Sequence, residues 1–336
     1  MMVPEIPQPD PAVDITVVVV TYNRAAMLPE VIASLAHQET RGEFSYEILV
    51  VDDGSTDGTA ETIRRVAQEG VPVVVNYVYQ EHGGEGDARN KGVEQARGAW
   101  IAFCDDDQLA HPKWLAELYG AARQQKIKCV GGAVRLDLPP SAHLFLGRRC
   151  RRFLGELDYG HQVKPSKLKN TIGGGNVLLH RSLFDQVGPF DTTFRQGVDT
   201  DFFWRLEKAG VKVSYAPEAW VSHVIPEYRA QVPYLREVCL RTGVANARIR
   251  LKYDGPLKLF RAICWRVGVA LGRDLPLILI SRIFNAPLWL LDGKCGFWYT
   301  LGFVRGSLYW LAPSLFPQRK FISGLDFLYR RGNWGA

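Results

Sequence analysis

The turn after the first hydrophobic run of this chain, "TYNRAAM" following "ITVVVV" (15–20), contains no glycine. A dinucleotide-binding fold needs GxGxxG there so that backbone can approach a pyrophosphate, and is excluded. GxxxxGK followed by Ser or Thr occurs nowhere, which excludes a P-loop. Six cysteines, at 104, 129, 150, 239, 264 and 295, form no CxxC pair. That spacing excludes a zinc ribbon or a disulfide framework and fits small reduced thiols, several of them inside apolar runs. Uncharged runs in the C-terminal region, such as 275–281, 283–291 and 306–318, all fall short of the roughly 20 residues that span a bilayer. Internal repeats and low-complexity tracts are absent. The N-terminal "MMVPEIPQPDPAVD" has neither a basic nor an apolar region of signal-peptide type, and residues 1–13 are expected to be a flexible leader.

The 336 residues, 47% hydrophobic, suffice for a large α/β domain with an appendage. Charge is uneven. Residues 1–120 carry 8 Lys and Arg against 20 Asp and Glu, a net of −12. The remainder carries 33 against 15, a net of +18. An acidic front can take a cation, and a basic rear can meet an anionic partner. The basic stretch "GRRCRRF" (147–153) lacks the aromatic spacing of a stacking surface, so no nucleic-acid partner is expected.

β-Branched runs recur at 15–20, 47–53, 71–79 and 99–107, and helical spacing appears between them. Leu28, Val31, Ile32 and Leu35 share one face of a segment from Met27 to His37; a second segment runs from Asp57, a suitable N-cap, to Gln68. Strand–helix alternation at about thirty residues predicts an α/β fold with a mostly parallel sheet flanked by helices. Such sheets bind ligands at the carboxyl ends of their strands. Thr21, Tyr22, Asn23 and Arg24 fall there, as do Asp52 and Asp53, and the triplet Asp105-Asp106-Asp107. Three adjacent carboxylates repel one another; a hard divalent cation such as Mg²⁺ or Mn²⁺ offsets that repulsion. From about residue 256, Leu, Ile, Trp and Phe crowd together, broken by Arg261, Arg266, Arg273, Arg282 and Arg305. This is the composition of helices that lie in a membrane interface.

The motifs "VVVVTYNR", "VVDDGSTDGT", "ARNKG", "FCDDDQLAHPKWL", "GGGNVLLHRSLFDQVGPFD" and "GVDTDFFWRLEKAG" occur in that order. Together they resemble a family-2 glycosyltransferase of the GT-A nucleotide-diphospho-sugar transferase fold, over about residues 14–225. The resemblance implies a GT-A domain, placed at 14–255, and the composition beyond it predicts a helical, amphipathic, membrane-associated region at 256–336. It implies that Thr21, Asn23, Arg24, Asp52 and Asp53 hold the nucleotide. Asp107, last of the triplet, would bind Mn²⁺ or Mg²⁺ bridging the diphosphate, with Asp105 and Asp106 nearer ribose and sugar. His223 matches a histidine that touches the metal or diphosphate. Arg89 and Lys91 would steady phosphate, and Gly174, Gly175 and Asn176 match the loop lining the donor-sugar and acceptor site.

The family's general base is the aspartate of a Glu-Asp pair heading a helix. Here the pair reads Val198-Asp199, so Asp199 is the expected base and Asp201 the alternative. The QxxRW motif of processive relatives is missing, which implies one transfer per encounter. The implied activity is inverting, metal-assisted transfer from a UDP-, dTDP- or GDP-sugar. The acceptor is expected to be a glycan or lipid-linked hydroxyl, with peripheral membrane contact at the cytoplasmic face of the cell membrane. Two rivals stand beside it. One is a sugar nucleotidyltransferase, which usually opens on a Gly-rich basic loop absent here; the other is an inactive sugar-nucleotide-binding scaffold.

Overall fold

The computed structural model describes residues 13–160 and 172–316. Residues 1–12 of the expected leader, 161–171 and 317–336 lie outside the described residues. Two compact units form. The first comprises the chain up to Arg135 with Leu157–Val224; the second comprises Leu136–Glu156 with the chain from Ile225 onward.

In the first unit, β1 (Ile15–Thr21), β2 (Tyr46–Asp52), β3 (Val75–Tyr79) and β4 (Trp100–Asp105) run parallel in the order β3-β2-β1-β4. Ile15, Val17, Val18 and Val19 are all fully buried, as a strand covered on both faces requires. Helices α1 (Leu28–Ala36), α2 (Thr59–Gln68) and α3 (Glu85–Gln95) connect these strands. α1 buries Leu28, Val31, Ile32 and Leu35, the stripe expected from their spacing. Asp57 works just ahead of α2: its carboxylate accepts from the Thr59 amide at 3.2 Å and, across the turn, from the Ala25 amide at 2.9 Å. The run 71–79 is only half strand. Pairing with β2 begins at Ile48↔Val75, so Val71 and Val73 pack on the core ahead of the ladder.

Beyond β4 the strands pair antiparallel, which makes the sheet as a whole mixed. β5 (Gln108–Ala110), α4 (Trp114–Gln125), β6 (Cys129–Asp137), β7 (Asn176–His180), α6 (Ser182–Val187), α7 (Val198–Lys208) and β8 (Ser214–Val224) complete this part; α5 belongs to the second unit. β7 lies between β4 and β6, antiparallel to both, and β8 pairs antiparallel with β5. Asn176 pins this region. Its side chain is fully buried, accepts from Trp114 Nε1 at 2.7 Å, and donates to the carbonyls of Ala133 (2.8 Å) and Ala219 (3.0 Å).

The second unit is helical: a 3₁₀ turn at Pro140–Leu144, α5 (Arg148–Phe153), α8 (Glu227–Ala230), α9 (Val232–Val269), a π turn (Ala270–Asp274), α10 (Leu275–Ile283) and α11 (Pro287–Leu311). The composition change at residue 256 falls inside this unit, where α9 is broken at Gly255 (φ 77°) before Pro256. α9 and α11 meet backbone to backbone: a side-chain carbon at Gly243 would overlap the Tyr299 carbonyl, and one at Gly302 the Leu240 carbonyl. None of the described helices is long and apolar enough to cross a membrane.

Asn176→Ala would leave the Trp114 indole N–H and two buried carbonyls unsatisfied. A loss of about 3 kcal/mol of stability is expected, read as a lower urea midpoint at unchanged slope; a change below about 1 kcal/mol would contradict the pin.

Candidate active site

Strand register gathers the polar residues. In the parallel half, Thr21 stands opposite Asp52, and Val20 opposite Asp105, so three strand ends stop at one level. In the antiparallel half, Cys104 pairs with Asn176, which carries Gly174 and Gly175 back alongside Asp105. Gln108 pairs with His223, which sets that histidine beside Asp107. Asp105 ends β4, while Asp106 and Asp107 form the turn into β5.

Each aspartate of the triplet has a different environment. Asp105 Oδ1 accepts from Arg89 Nη2 at 3.1 Å and Oδ2 from Gln108 Nε2 at 3.2 Å. Asp106 Oδ2 accepts from Thr21 Oγ1 at 2.8 Å. Asp107 lies 3.4 Å from His223 Nε2 through one oxygen and 3.9 Å from Arg24 Nη2 through the other. Removal from water raises Asp106 to about 7, and repulsion from Asp107 adds to the rise. Burial also leads at Asp105, raised to about 6 despite the Arg89 charge beside it.

Among the described residues, no three His, Cys, Asp or Glu side chains gather to hold a metal ion by themselves. Asp107 and His223 offer two donor groups at one spot. That set fits a hard cation only if its other positions are filled from outside the protein, as Mg²⁺ and Mn²⁺ commonly do with water and phosphate oxygens.

Arg89 is buried and occupied by protein groups. It donates to Glu85 Oε1 at 2.8 Å, to the Gly174 carbonyl at 2.9 Å and to Asp105, with its guanidinium 5.0 Å from the Phe103 ring centre. The Asp199 carboxylate is one of the charges that favour the protonated form of Arg89. Asp199 lies in the first turn of α7 and is tied to the same loop. Its Oδ2 accepts from the Gly174 amide at 3.2 Å and its Oδ1 from the Thr200 amide at 2.7 Å. Both glycines are needed for this approach: a side-chain carbon at Gly175 would overlap the Asp105 carboxylate, and one at Gly174 would come within 2.7 Å of Asp199 Cβ. Asp201, the alternative base, is fully buried and pairs with Arg205 Nε at 3.0 Å. Lys91 pairs with Glu94 along α3, at 2.8 Å.

Asp52 and Asp53 are buried and engaged with neighbouring turns. Asp52 accepts from the Ser55 amide and from Tyr77 Oη, at 2.8 and 2.7 Å. Asp53 accepts from Gln80 Nε2 (2.7 Å) and from the amides of Gly83 and Gly84 (2.9 Å each), with His82 Nδ1 at 2.8 Å. Asn23, at φ 53°, ties the first turn to the second by accepting from the Thr56 amide and donating its own amide to Ser55 Oγ, each at 2.8 Å. Tyr22 is exposed and stacks on His82 with ring centres 4.3 Å apart. Sequence reasoning missed Gln80, His82 and the buried side of Arg89. The one available signal was the glycine pair ahead of α3, whose free amides suit a carboxylate.

A mixed sheet with strand order β3-β2-β1-β4-β7-β6, an acidic turn at its edge and a glycine loop reaching a second aspartate is the architecture of a nucleotide-sugar transferase. The sequence matches the family described as glycosyl transferase family 2 over residues 16–188. It is 29% identical over 247 residues to the succinoglycan biosynthesis protein ExoM of Rhizobium meliloti, covering 72% of this chain and 76% of that protein. It is 30% identical over 235 residues to validoxylamine A glucosyltransferase of Streptomyces hygroscopicus subsp. jinggangensis, covering 61% of this chain but only 54% of that protein's length. Among solved structures, the mannosyltransferase PcManGT from Pyrobaculum calidifontis, in complex with GDP-Man and Mn²⁺, superposes with a TM-score of 0.61 over 92% of this chain and 90% of its own. The identity there is 19%, a likeness of fold. The chain belongs to glycosyltransferase family 2 and has the GT-A fold.

The raised Asp106 sets a sign for pH. Its folded pKa lies above the ordinary value of 3.8, so the folded state holds a proton that the unfolded chain has lost, and stability falls as pH rises from about 4 to about 7. Asp106→Asn, which keeps an acceptor for Thr21, is therefore expected to raise the melting temperature more at about pH 8 than near pH 5, in divalent-free buffer. Equal shifts at both would contradict the buried charge.

Proposed function

We propose that this glycosyltransferase moves one sugar from a nucleoside diphosphate sugar to an acceptor hydroxyl in a single displacement, with inversion at the anomeric carbon. The observation that carries the reading is the Gly174–Gly175 loop, which touches Asp105 on one side and Asp199 on the other. The diphosphate end and the proton acceptor of one reaction would thus share a single loop.

Asp107 and His223 would hold Mn²⁺ or Mg²⁺. The cation, when bound, neutralises charge gathering on the departing diphosphate. Asp199 takes the acceptor proton as the hydroxyl oxygen attacks; its two amide bonds fix the carboxylate and leave lone pairs for that hydroxyl. Asp201 is a poor base, being committed to Arg205. Arg89 acts as a positioning residue that holds Asp105 and the Gly174 carbonyl, rather than as a phosphate ligand. Asn176 supports the loop from below. Asp52, Asp53 and Asn23 shape the two turns on which the nucleotide rests, with Thr21 and Arg24 orienting Asp106 and Asp107. The Tyr22–His82 pair offers a ring surface to a base, since aromatic stacking accepts any base. The donor is a UDP-, dTDP- or GDP-sugar. The acceptor is a lipid-linked or cell-envelope glycan met at the cytoplasmic face, a reading supported by the succinoglycan-biosynthesis relative.

Thermal stability measured with UDP, GDP, CDP and dTDP, with and without Mn²⁺, tests the donor site. One nucleotide should give a metal-dependent rise that Asp107→Ala abolishes; an equal rise in that variant would remove Asp107 from the metal. Asp199→Asn should keep the nucleotide-induced rise and lose transfer by about 10²- to 10⁴-fold. Full activity in that variant would overturn the base assignment.

A further inference from the structure

From Pro256 to Ile283 the second half of α9, the π turn and α10 follow one another with right-handed helical dihedral angles at each junction. At 1.5 Å per residue this rod is about 40 Å long. Exposed positions recur along it at helical spacing: Leu257, Phe260 and Arg261, Trp265, Gly268 and Leu271. The alternate stripe, Leu259, Ile263, Arg266, Ala270 and Asp274, is buried or half-buried. Arg266 faces inward, over the Tyr299 ring at 4.5 Å. A helix on a soluble surface shows its polar side to water. Here the outward stripe is the apolar one: Phe260 is 60% exposed, Trp265 71%, Ile283 78% and Phe284 70%.

The charges on this rod and on α11 after it are one-sided. Residues 256–316 hold seven Lys and Arg but two acids, Asp274 and Asp292. Both acids are engaged by neighbouring groups. Asp274 is fully buried and accepts from Arg149 Nη1 and Arg273 Nε, at 2.8 and 2.9 Å. Asp292 accepts from the backbone amides of Arg149 and Cys150. Lys258, Arg261 and Arg282 remain exposed among the apolar side chains. Rings and aliphatic chains flanked by cations, with no exposed acid between them, match an anionic lipid surface: the apolar groups enter the acyl boundary and the cations meet phosphate.

We propose that this stripe docks the second unit on an anionic bilayer, with the rod lying in the interface rather than crossing it. The proposal does not depend on the transferase reading, and its test uses no sugar donor. The full chain is floated with mixed phosphatidylglycerol–phosphatidylcholine vesicles and with pure phosphatidylcholine vesicles. Binding should appear with the first and be weak with the second. Substituting Phe260, Trp265, Ile283 and Phe284 together by Ser should weaken partitioning by at least about tenfold, because several large side chains no longer leave water. Lys258→Glu, Arg261→Glu and Arg282→Glu together should abolish the preference for phosphatidylglycerol. All these positions are exposed, so the melting temperature of each variant reports that it still folds.

Three results overturn the proposal. No flotation with either vesicle is one. Unchanged binding by the Ser variant is another, because attraction would then be charge alone. Light scattering that shows a dimer dissociated by the Ser variant, with vesicles ignored, is the third: the stripe would then cover a second copy of this chain.

Discussion

Everything in the candidate site depends on β4 having a parallel neighbour on one side and an antiparallel one on the other. β1 lines up Thr21 and Asp52 with the end of β4. β7, running the other way, returns the glycine loop to the same end. Were β7 parallel to β4, Asn176 and the Gly174–Gly175 loop ahead of it would start at the far end of the sheet from Asp105. The Asn176 side chain secures this arrangement by binding groups from α4, β6 and β8 at once. One buried amide therefore links the core to the chemistry.

The acidic turn has an energetic cost that the surrounding groups only partly offset. Desolvation and mutual repulsion raise Asp105 and Asp106, while Arg89, Arg24 and Thr21 act in the opposite direction. Buried charge is tolerated where partners are close, and Arg89 is bound on three sides. A cation placed at the turn would supply the missing compensation.

The helical unit solves a different problem. α9 and α11 approach so closely that glycines line part of the contact and let backbones meet. Leu235, Leu259, Tyr299 and Phe303 fill the core of the same unit, while Phe260, Trp265, Ile283 and Phe284 are left on the outside. The sequence showed only that small and large apolar residues were both abundant.

The sequence by itself determined the parallel half and its polar ends. The runs at 15–20 and 47–53 are long, β-branched and bounded by turns, and α1 repeats its apolar residues at the period of a helix; these are local signals. The triplet at 105–107 was legible for the same reason, since adjacent carboxylates announce a cost. Only tertiary structure decided the rest. Part of the commitment of Arg89, Asp52 and Asp53 to protein partners comes from groups 25 to 85 residues away in sequence. The pairing of His223 with Asp107 came from a register between β5 and β8, strands too distant for any periodicity to relate. The outward apolar stripe is likewise a tertiary fact. Periodicity fixes which residues share a helix face, but which face meets water is settled by what packs against the other one.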